Sequence, residues 1–158
     1  MAACLENVQI ASCLWFEGGD KRNALASMVA GTLFFLGWWF MIDAHTKYPD
    51  DTSNGYLICG ICGTLSLLMV NSVTNSQIRG DAYDGGCLGA RGARGWLFIG
   101  FVMGFAAVIG SCWIMFADYI YNNDARHLWP GYALFLQNLF IIIGSVTYKF
   151  GRSEDNWS

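Results

Sequence analysis

The chain has 158 residues, of which 54% are hydrophobic and only 13% are charged, and its formal net charge is −3. Soluble globular domains carry charge on about 25% of their residues, so this composition argues against a soluble domain and also against a disordered chain. The small negative charge excludes a basic nucleic-acid-binding protein. The length and composition therefore indicate a single membrane domain.

Four stretches of the sequence lack Asp, Glu, Lys, Arg and His and are long enough to cross a bilayer. A hydrocarbon core about 30 Å thick needs roughly 20 apolar residues of helix. The stretches cover about residues 24–42, 55–78, 95–117 and 128–148. Four strands cannot close a barrel in lipid. The sequence therefore predicts an all-α membrane protein whose four transmembrane helices form two helical hairpins, with weak similarity between them as a parallel repeat.

The basic residues predict the orientation of this domain, which covers residues 24–150. An N-terminal arm (1–23), the middle loop and the residues after the fourth span, which are Lys149 and the tail (151–158), hold seven Lys and Arg residues, whereas the other two loops hold two. By the positive-inside rule, both termini are expected in the cytosol. Apolar positions in the arm share one helical face, which predicts an interfacial helix there.

Polar residues inside the predicted spans are candidates for intramembrane contacts. Asn71 and Asn75 are four residues apart in the second span, so they are predicted to share one helix face. Gln137 and Asn138 in the fourth span are their predicted partners, because unpaired amides are costly in hydrocarbon. Three interpretations remain open: hydrogen bonds between helices, a substrate or ion path lined by Asn71, Asn75 and Asn138, and a polar face for a partner subunit.

Small residues predict close contacts between helices. Gly100 and Gly104 in the third span match the small-xxx-small pattern, which Gly110 extends, and the first span offers Ser27 and Gly31. These positions fit either packing within the bundle or contact with another membrane protein.

The connecting segments hold candidates for lipid contact and lipid modification. Arg91 and Arg94 in the middle loop are expected to meet anionic lipid head groups. Cys4, Cys13 and Cys87 lie close to the predicted cytosolic surface, where reversible palmitoylation occurs.

The sequence offers no pattern typical of an active site. Cys59 and Cys62 form a CxxC inside an apolar span, which favours packing over redox or zinc chemistry. We find no nucleophile with a matching base and no cluster with metal-ligand spacing. The sequence thus predicts no catalytic residue, no metal and no cofactor.

Eleven short segments together resemble one known family. They are KRN at residues 21–23, GWW at 37–39, ID at 42–43, NSVTN at 71–75, QIRGD at 77–81, GCLG at 86–89, GAR at 92–94, WLF at 96–98, PG at 130–131, QN at 137–138 and KFGR at 149–152. This joint pattern, spread from about residue 17 to residue 157, resembles the transmembrane protein 50 family, also called small membrane protein 1.

The resemblance implies a function in membrane traffic. It implies a four-span protein of endomembranes, in the late endosome, the Golgi or the endoplasmic reticulum. Fungal members of the family act in late-endosome to vacuole sorting, together with a second four-span protein similar to the leptin receptor overlapping transcript family. The family implies no enzymatic activity, cofactor or binding residues.

We therefore expect a non-enzymatic multi-pass subunit that contacts membrane lipids, associates with another multi-pass membrane protein and supports endosomal and vacuolar or lysosomal sorting. The alternative is a small channel or transporter whose polar path is lined by Asn71, Asn75 and Asn138.

Overall fold

The structure is a computed structural model that describes residues 18–80, 89–121 and 127–152. These residues form five α-helices and no strand: α1 (Gly18–Lys47), α2 (Leu57–Asn71), α3 (Asn75–Arg79), α4 (Gly89–Ile114) and α5 (Trp129–Gly151). A 3₁₀ turn, Asn54–Tyr56, leads into α2, and a π-helical turn, Met115–Ile120, continues α4.

Four helical segments in the described part of the chain are long and apolar enough to cross a membrane. They are Lys21–Lys47, Asn54–Asn71, Gly89–Ile120 and Trp129–Gly151. Each corresponds to one of the four apolar stretches of the sequence. These stretches are helical because a helix pairs its backbone polar groups within one segment, where lipid offers no partner. The predicted fold class is therefore confirmed.

Helix α1 is longer than the predicted span of residues 24–42. It begins at Gly18, within the predicted arm, and continues to Lys47. Asp43 and Lys47 form an ion pair of 3.0 Å at i,i+4 spacing in the last turn, which stabilises that turn as helix. The helix therefore continues past the end of the apolar stretch, through a turn that these two charged residues stabilise.

The second predicted span, 55–78, is not one continuous helix. Helix α2 ends at Asn71, and α3 begins four residues later, at Asn75. Thr74 caps α3 through a capping box with Gln77, in which the Thr74 backbone N–H donates to Gln77 Oε1 at 3.1 Å. The sequence analysis predicted that Asn71 and Asn75 share one helix face. This prediction was wrong, because the cap starts a new helix at Asn75.

Helix α5 is the central element of the bundle and packs against α1, α2 and α4. Its contact with α1 relies on small residues. A Cβ atom on Gly144 would lie 3.1 Å from the Ala30 carbonyl oxygen, and one on Gly151 would lie 2.8 Å from the Ala26 Cβ. Such close approach of two backbones gives the dispersion contact that holds helices together in lipid.

The consecutive helices α1 and α2 contact each other far less than α1 contacts α5. The Trp38 indole N–H donates to Thr64 Oγ1 at 3.3 Å and links α1 to α2. The main packing partner of α1 is therefore the last helix, α5, and not α2, which follows α1 in the chain.

One end of the bundle, which we call the acidic end and define by Asp43, Asp51 and Asp118, is tied by hydrogen bonds to carboxylates. Trp129 Nε1 donates to Asp43 at 3.1 Å, and the Tyr56 hydroxyl donates to Asp118 at 2.7 Å. Each bond joins two different elements, so the carboxylates fix how the helices meet at this end.

The opposite end, which we call the basic end and define by Arg22, Arg94 and Lys149, is tied by bonds to backbone carbonyls. Arg22 Nε donates to the Gly151 carbonyl at 2.9 Å, and Arg94 Nε donates to the Ile78 carbonyl at 3.0 Å. Both acceptors lie in the last turn of a helix, where carbonyls lack partners along their own helix and a cation is favoured.

Candidate functional site: a buried amide seam between α2 and α5

Helix α5 carries four buried polar side chains. The exposed fractions of Gln137, Asn138, Ser145 and Lys149 are 0%, 1%, 2% and 8%. Asn138, Ser145 and Lys149 are seven and four residues apart, so they lie along one side of α5. Together with Asn71 of α2, these four residues define what we call the amide seam.

Two glycines of α2 make room for the amides. A Cβ on Gly60 would lie 2.5 Å from Gln137 Nε2, and a Cβ on Gly63 would lie 3.1 Å from Asn138 Oδ1. On the α1 side, a Cβ on Gly37 would lie 3.0 Å from the Gln137 carbonyl oxygen. Gln137 is therefore enclosed between the backbones of α1 and α2.

The hydrogen bonds of the seam join α2 to α5. Asn71 Nδ2 donates to the Leu67 carbonyl at 2.8 Å and to Ser145 Oγ at 3.3 Å. Asn138 Nδ2 donates to the Leu134 carbonyl at 2.9 Å, within its own helix. The interhelical partner of Asn71 is thus Ser145, one of the residues that sequence reasoning missed, whereas Gln137 and Asn138 were the predicted partners.

Four buried amide atoms of the seam have no hydrogen-bond partner among the described residues. They are Asn71 Oδ1, Asn138 Oδ1, Gln137 Oε1 and Gln137 Nε2. Leaving a buried polar atom unsatisfied costs about 1–3 kcal/mol. Three of the four atoms are acceptors, so most of the missing partners are hydrogen-bond donors.

At the basic end the seam meets the break between α2 and α3. Lys149 Nζ donates to the carbonyl oxygen of Val73, which lies in that break. The sequence analysis placed Lys149 just outside the fourth span, but the structure places it within α5, where it is buried. The sequence analysis missed the spacing of Lys149 from Ser145, which is one helical turn away on the same face of α5.

The predicted glycine motif of the third span lies inside the bundle. A Cβ on Gly100 would lie 3.0 Å from Val70 Cγ2, and one on Gly104 would lie 2.5 Å from Ser66 Oγ. Ser66 Oγ also donates to the Gly100 carbonyl at 2.6 Å. These two glycines therefore pack α4 on α2, while a Cβ on Gly110 would meet Cys59 Sγ at an ordinary contact distance of 3.8 Å.

The predicted small residues of the first span lie on a different side of α1 from the one that contacts α5. Ser27 is exposed, and a Cβ on Gly31 would meet no atom of the described residues within 4 Å. Both line a shallow apolar groove that runs along α1 from Ser27 to Trp39, which we call the outer groove. The small residues that contact α5 include Ala26 and Ala30, one position earlier in each case.

Three further predictions have different outcomes. Asn75 begins α3 and does not belong to the amide seam. Arg91 is exposed, while Arg94 uses its Nε to bind the Ile78 carbonyl, and their contact with lipid head groups stays a prediction. Cys4, Cys13 and Cys87, with the rest of the arm up to residue 17, lie outside the described residues.

The chemistry available in the seam is hydrogen bonding by neutral amides and a hydroxyl, with one ammonium group at the basic end. Within residues 18–80, 89–121 and 127–152, no group of three or more His, Cys, Asp or Glu side chains is placed to hold a metal ion. The arrangement can hold helices together and can bind small polar molecules.

Comparisons with known proteins agree on one family. The model of UPF0220, described as an uncharacterised protein family, matches residues 4–157. A transmembrane protein 50 homolog of Dictyostelium discoideum is 31% identical over 145 residues, which are 82% of this chain and 91% of that protein. UPF0220 protein C8D2.02c of Schizosaccharomyces pombe is 29% identical over 147 residues, 87% of this chain and 86% of that protein. No solved structure matches the chain.

The fit of the amides against the glycines of α2 can be tested by adding one methyl group. We expect Gly60→Ala to lower the free energy of unfolding by about 1–3 kcal/mol, because the new Cβ overlaps the enclosed Gln137 side chain. Gly110→Ala is the matched control, since its Cβ fits beside Cys59. Helicity followed through denaturation in detergent measures both, and equal stability of the two variants would contradict the close packing at Gly60.

Proposed function

Because this chain belongs to the UPF0220, or transmembrane protein 50, family, we propose that it is a non-enzymatic multi-pass subunit that associates with another multi-pass membrane protein. In this proposal the pair supports endosomal and vacuolar or lysosomal protein sorting. The partner expected from the family resemblance is a four-span protein of the leptin receptor overlapping transcript type.

The observation that carries the proposal is the outer groove of α1. Helix α1 has small residues on two sides: Ala26 and Ala30 contact α5, whereas Ser27 and Gly31 face outward. In lipid, helices associate where small residues let backbones approach, since apolar side chains gain little by leaving lipid tails. The groove therefore fits a helix of a second membrane protein better than it fits a catalytic role.

The charges of the two ends support an orientation within this proposal. Arg22, Arg94 and Lys149 lie at the basic end, and Asp43, Asp51 and Asp118 lie at the acidic end. The positive-inside rule favours the basic end in the cytosol. With this orientation both termini are cytosolic, and the acidic end faces the lumen of an endomembrane compartment.

We expect Gly31→Leu to reduce the recovery of the co-purifying membrane partner at least tenfold, because a leucine would fill the outer groove. Gly95→Leu is the matched control, since a Cβ on Gly95 also meets no described atom within 4 Å. Both tagged variants are purified in mild detergent at equal amounts, and the bound membrane proteins are quantified by mass spectrometry.

Size-exclusion chromatography must show that both variants keep the profile of the unaltered protein. Equal partner recovery with Gly31→Leu and Gly95→Leu would remove the outer groove as the interface. If the unaltered protein elutes without a stoichiometric partner, the proposed function itself would be overturned.

Transport is the second candidate function, and the unpaired amide oxygens of the seam favour it. The predicted path is incomplete, however, because Asn75 lies outside the seam, and the turn of α5 beyond Gln137 is apolar and buried at Ala133 and Leu134. We therefore expect liposomes that contain the pure protein to show no more K⁺, Na⁺ or proton flux than empty liposomes. A flux that Asn138→Leu abolishes would establish transport instead.

A further inference from the structure

The unpaired amides of the seam have hydrogen-bonding capacity that no described residue uses. Asn138 and Gln137 are at most 1% exposed, and neither their two carbonyl oxygens nor the Gln137 amide nitrogen meets a partner among the described residues. Lipid cannot supply the missing donors. Water can, because one molecule donates two hydrogen bonds and accepts two, which fits a site with more unpaired acceptors than unpaired donors.

The seam forms a buried polar strip along the side of α5 that faces α2, and the strip ends at Gln137. At 1.5 Å of rise per residue, the eleven residues from Asn138 to Lys149 span about 16 Å along α5. Gly60 lies opposite Gln137 and Gly63 lies opposite Asn138, so both amides pack directly against the backbone of α2. The inner end is closed where Gln137 lies between the backbones of α1 and α2.

The outer end of the seam lies at the break between α2 and α3. Asn71, which bonds to Ser145, is the last residue of α2, and the Val73 carbonyl that accepts from Lys149 follows two residues later. On α5, Lys149 is one turn beyond Ser145. The Lys149 side chain therefore reaches across from α5 to the break, next to the Asn71–Ser145 contact.

We propose that the amide seam is a binding site for water, entered from the basic end, and that the Lys149–Val73 hydrogen bond closes its entrance. Water in the seam bonds to the amide groups of Asn71, Gln137 and Asn138. Lys149 acts as a positioning residue: it holds the α2–α3 break against α5 and so sets how readily water exchanges. This proposal does not depend on a protein partner.

The experiment measures the reactivity of single cysteines with a charged, membrane-impermeant methanethiosulfonate, which modifies thiols that water reaches. Ser145→Cys is introduced into a chain whose native cysteines are replaced by serine or alanine, with and without Lys149→Met. Ile143→Cys is the matched control at the same depth, since Ile143 is 44% exposed on the outside of the bundle and faces lipid. Arg152→Cys reports any change in rate caused by the lost charge alone.

We expect Ser145→Cys to react at least tenfold faster with Lys149→Met than with Lys149 in place. Ile143→Cys should stay unreactive in both backgrounds, and the rate at Arg152→Cys should change less than about twofold. A Ser145→Cys that is unreactive in both backgrounds would overturn the hydrated seam. Equal reaction rates in both would overturn the role of Lys149.

A second measurement uses the unaltered protein and needs no variant to fold. In detergent micelles, NMR cross-peaks between water and the side-chain amide protons of Gln137 and Asn138 report water bound at the seam. We expect these cross-peaks for both residues, and their absence from both would overturn the proposal. Neither experiment involves the outer groove, so failure here and failure of the proposed function are distinguishable.

Discussion

The hydrocarbon of a bilayer offers no hydrogen-bond partner, so each polar group of a spanning helix must find its partner inside the protein. Helix α5 carries this requirement furthest, because Gln137, Asn138, Ser145 and Lys149 are all buried. It occupies the centre of the bundle, where α1, α2 and α4 shield these side chains from lipid. In this packing order the last helix contacts the first, and Gln137 lies between the backbones of α1 and α2.

The same constraint explains the break in α2. Ending a helix in or near lipid leaves carbonyl oxygens without partners, and here side chains of other elements bind to the broken segment. Lys149 binds the Val73 carbonyl, Arg94 binds the Ile78 carbonyl, and the Trp96 indole N–H donates to Ser72 Oγ at 3.2 Å. Basic residues at this end therefore both favour one orientation in the membrane and hold the ends of the helices together. The polar side chains of the seam lie inside the bundle, whereas the outer groove lies on its outer surface.

The sequence was sufficient for the four spans, because charge-free stretches about 20 residues long have one stable structure in lipid. It also identified Asn71, Gln137 and Asn138 as intramembrane polar residues. The break after Asn71 was missed because residues 72–78 carry no charge, although Thr74 and Gln77 already match a capping box. Gly60 and Gly63 were missed because their importance depends on which helix lies opposite, and helix order in space is a tertiary property that periodicity does not encode. For the same reason Ser27 and Gly31 were selected on α1, whereas Ala26 and Ala30 contact α5.

In this fold α5 lies against α1 and separates it from the end of α2, and disulfide formation measures this arrangement directly. In a chain without native cysteines, Ala26→Cys is paired either with Gly151→Cys on α5 or with Val73→Cys at the α2–α3 break. A disulfide needs Cβ atoms about 3.5–4.5 Å apart. The Cβ positions of residues 26 and 151 are 2.8 Å apart, so a small outward shift at the end of α5 brings them into this range. We expect rapid oxidation of the 26–151 pair and little oxidation of the 26–73 pair. Rapid oxidation of the 26–73 pair, with none at 26–151, would contradict this arrangement.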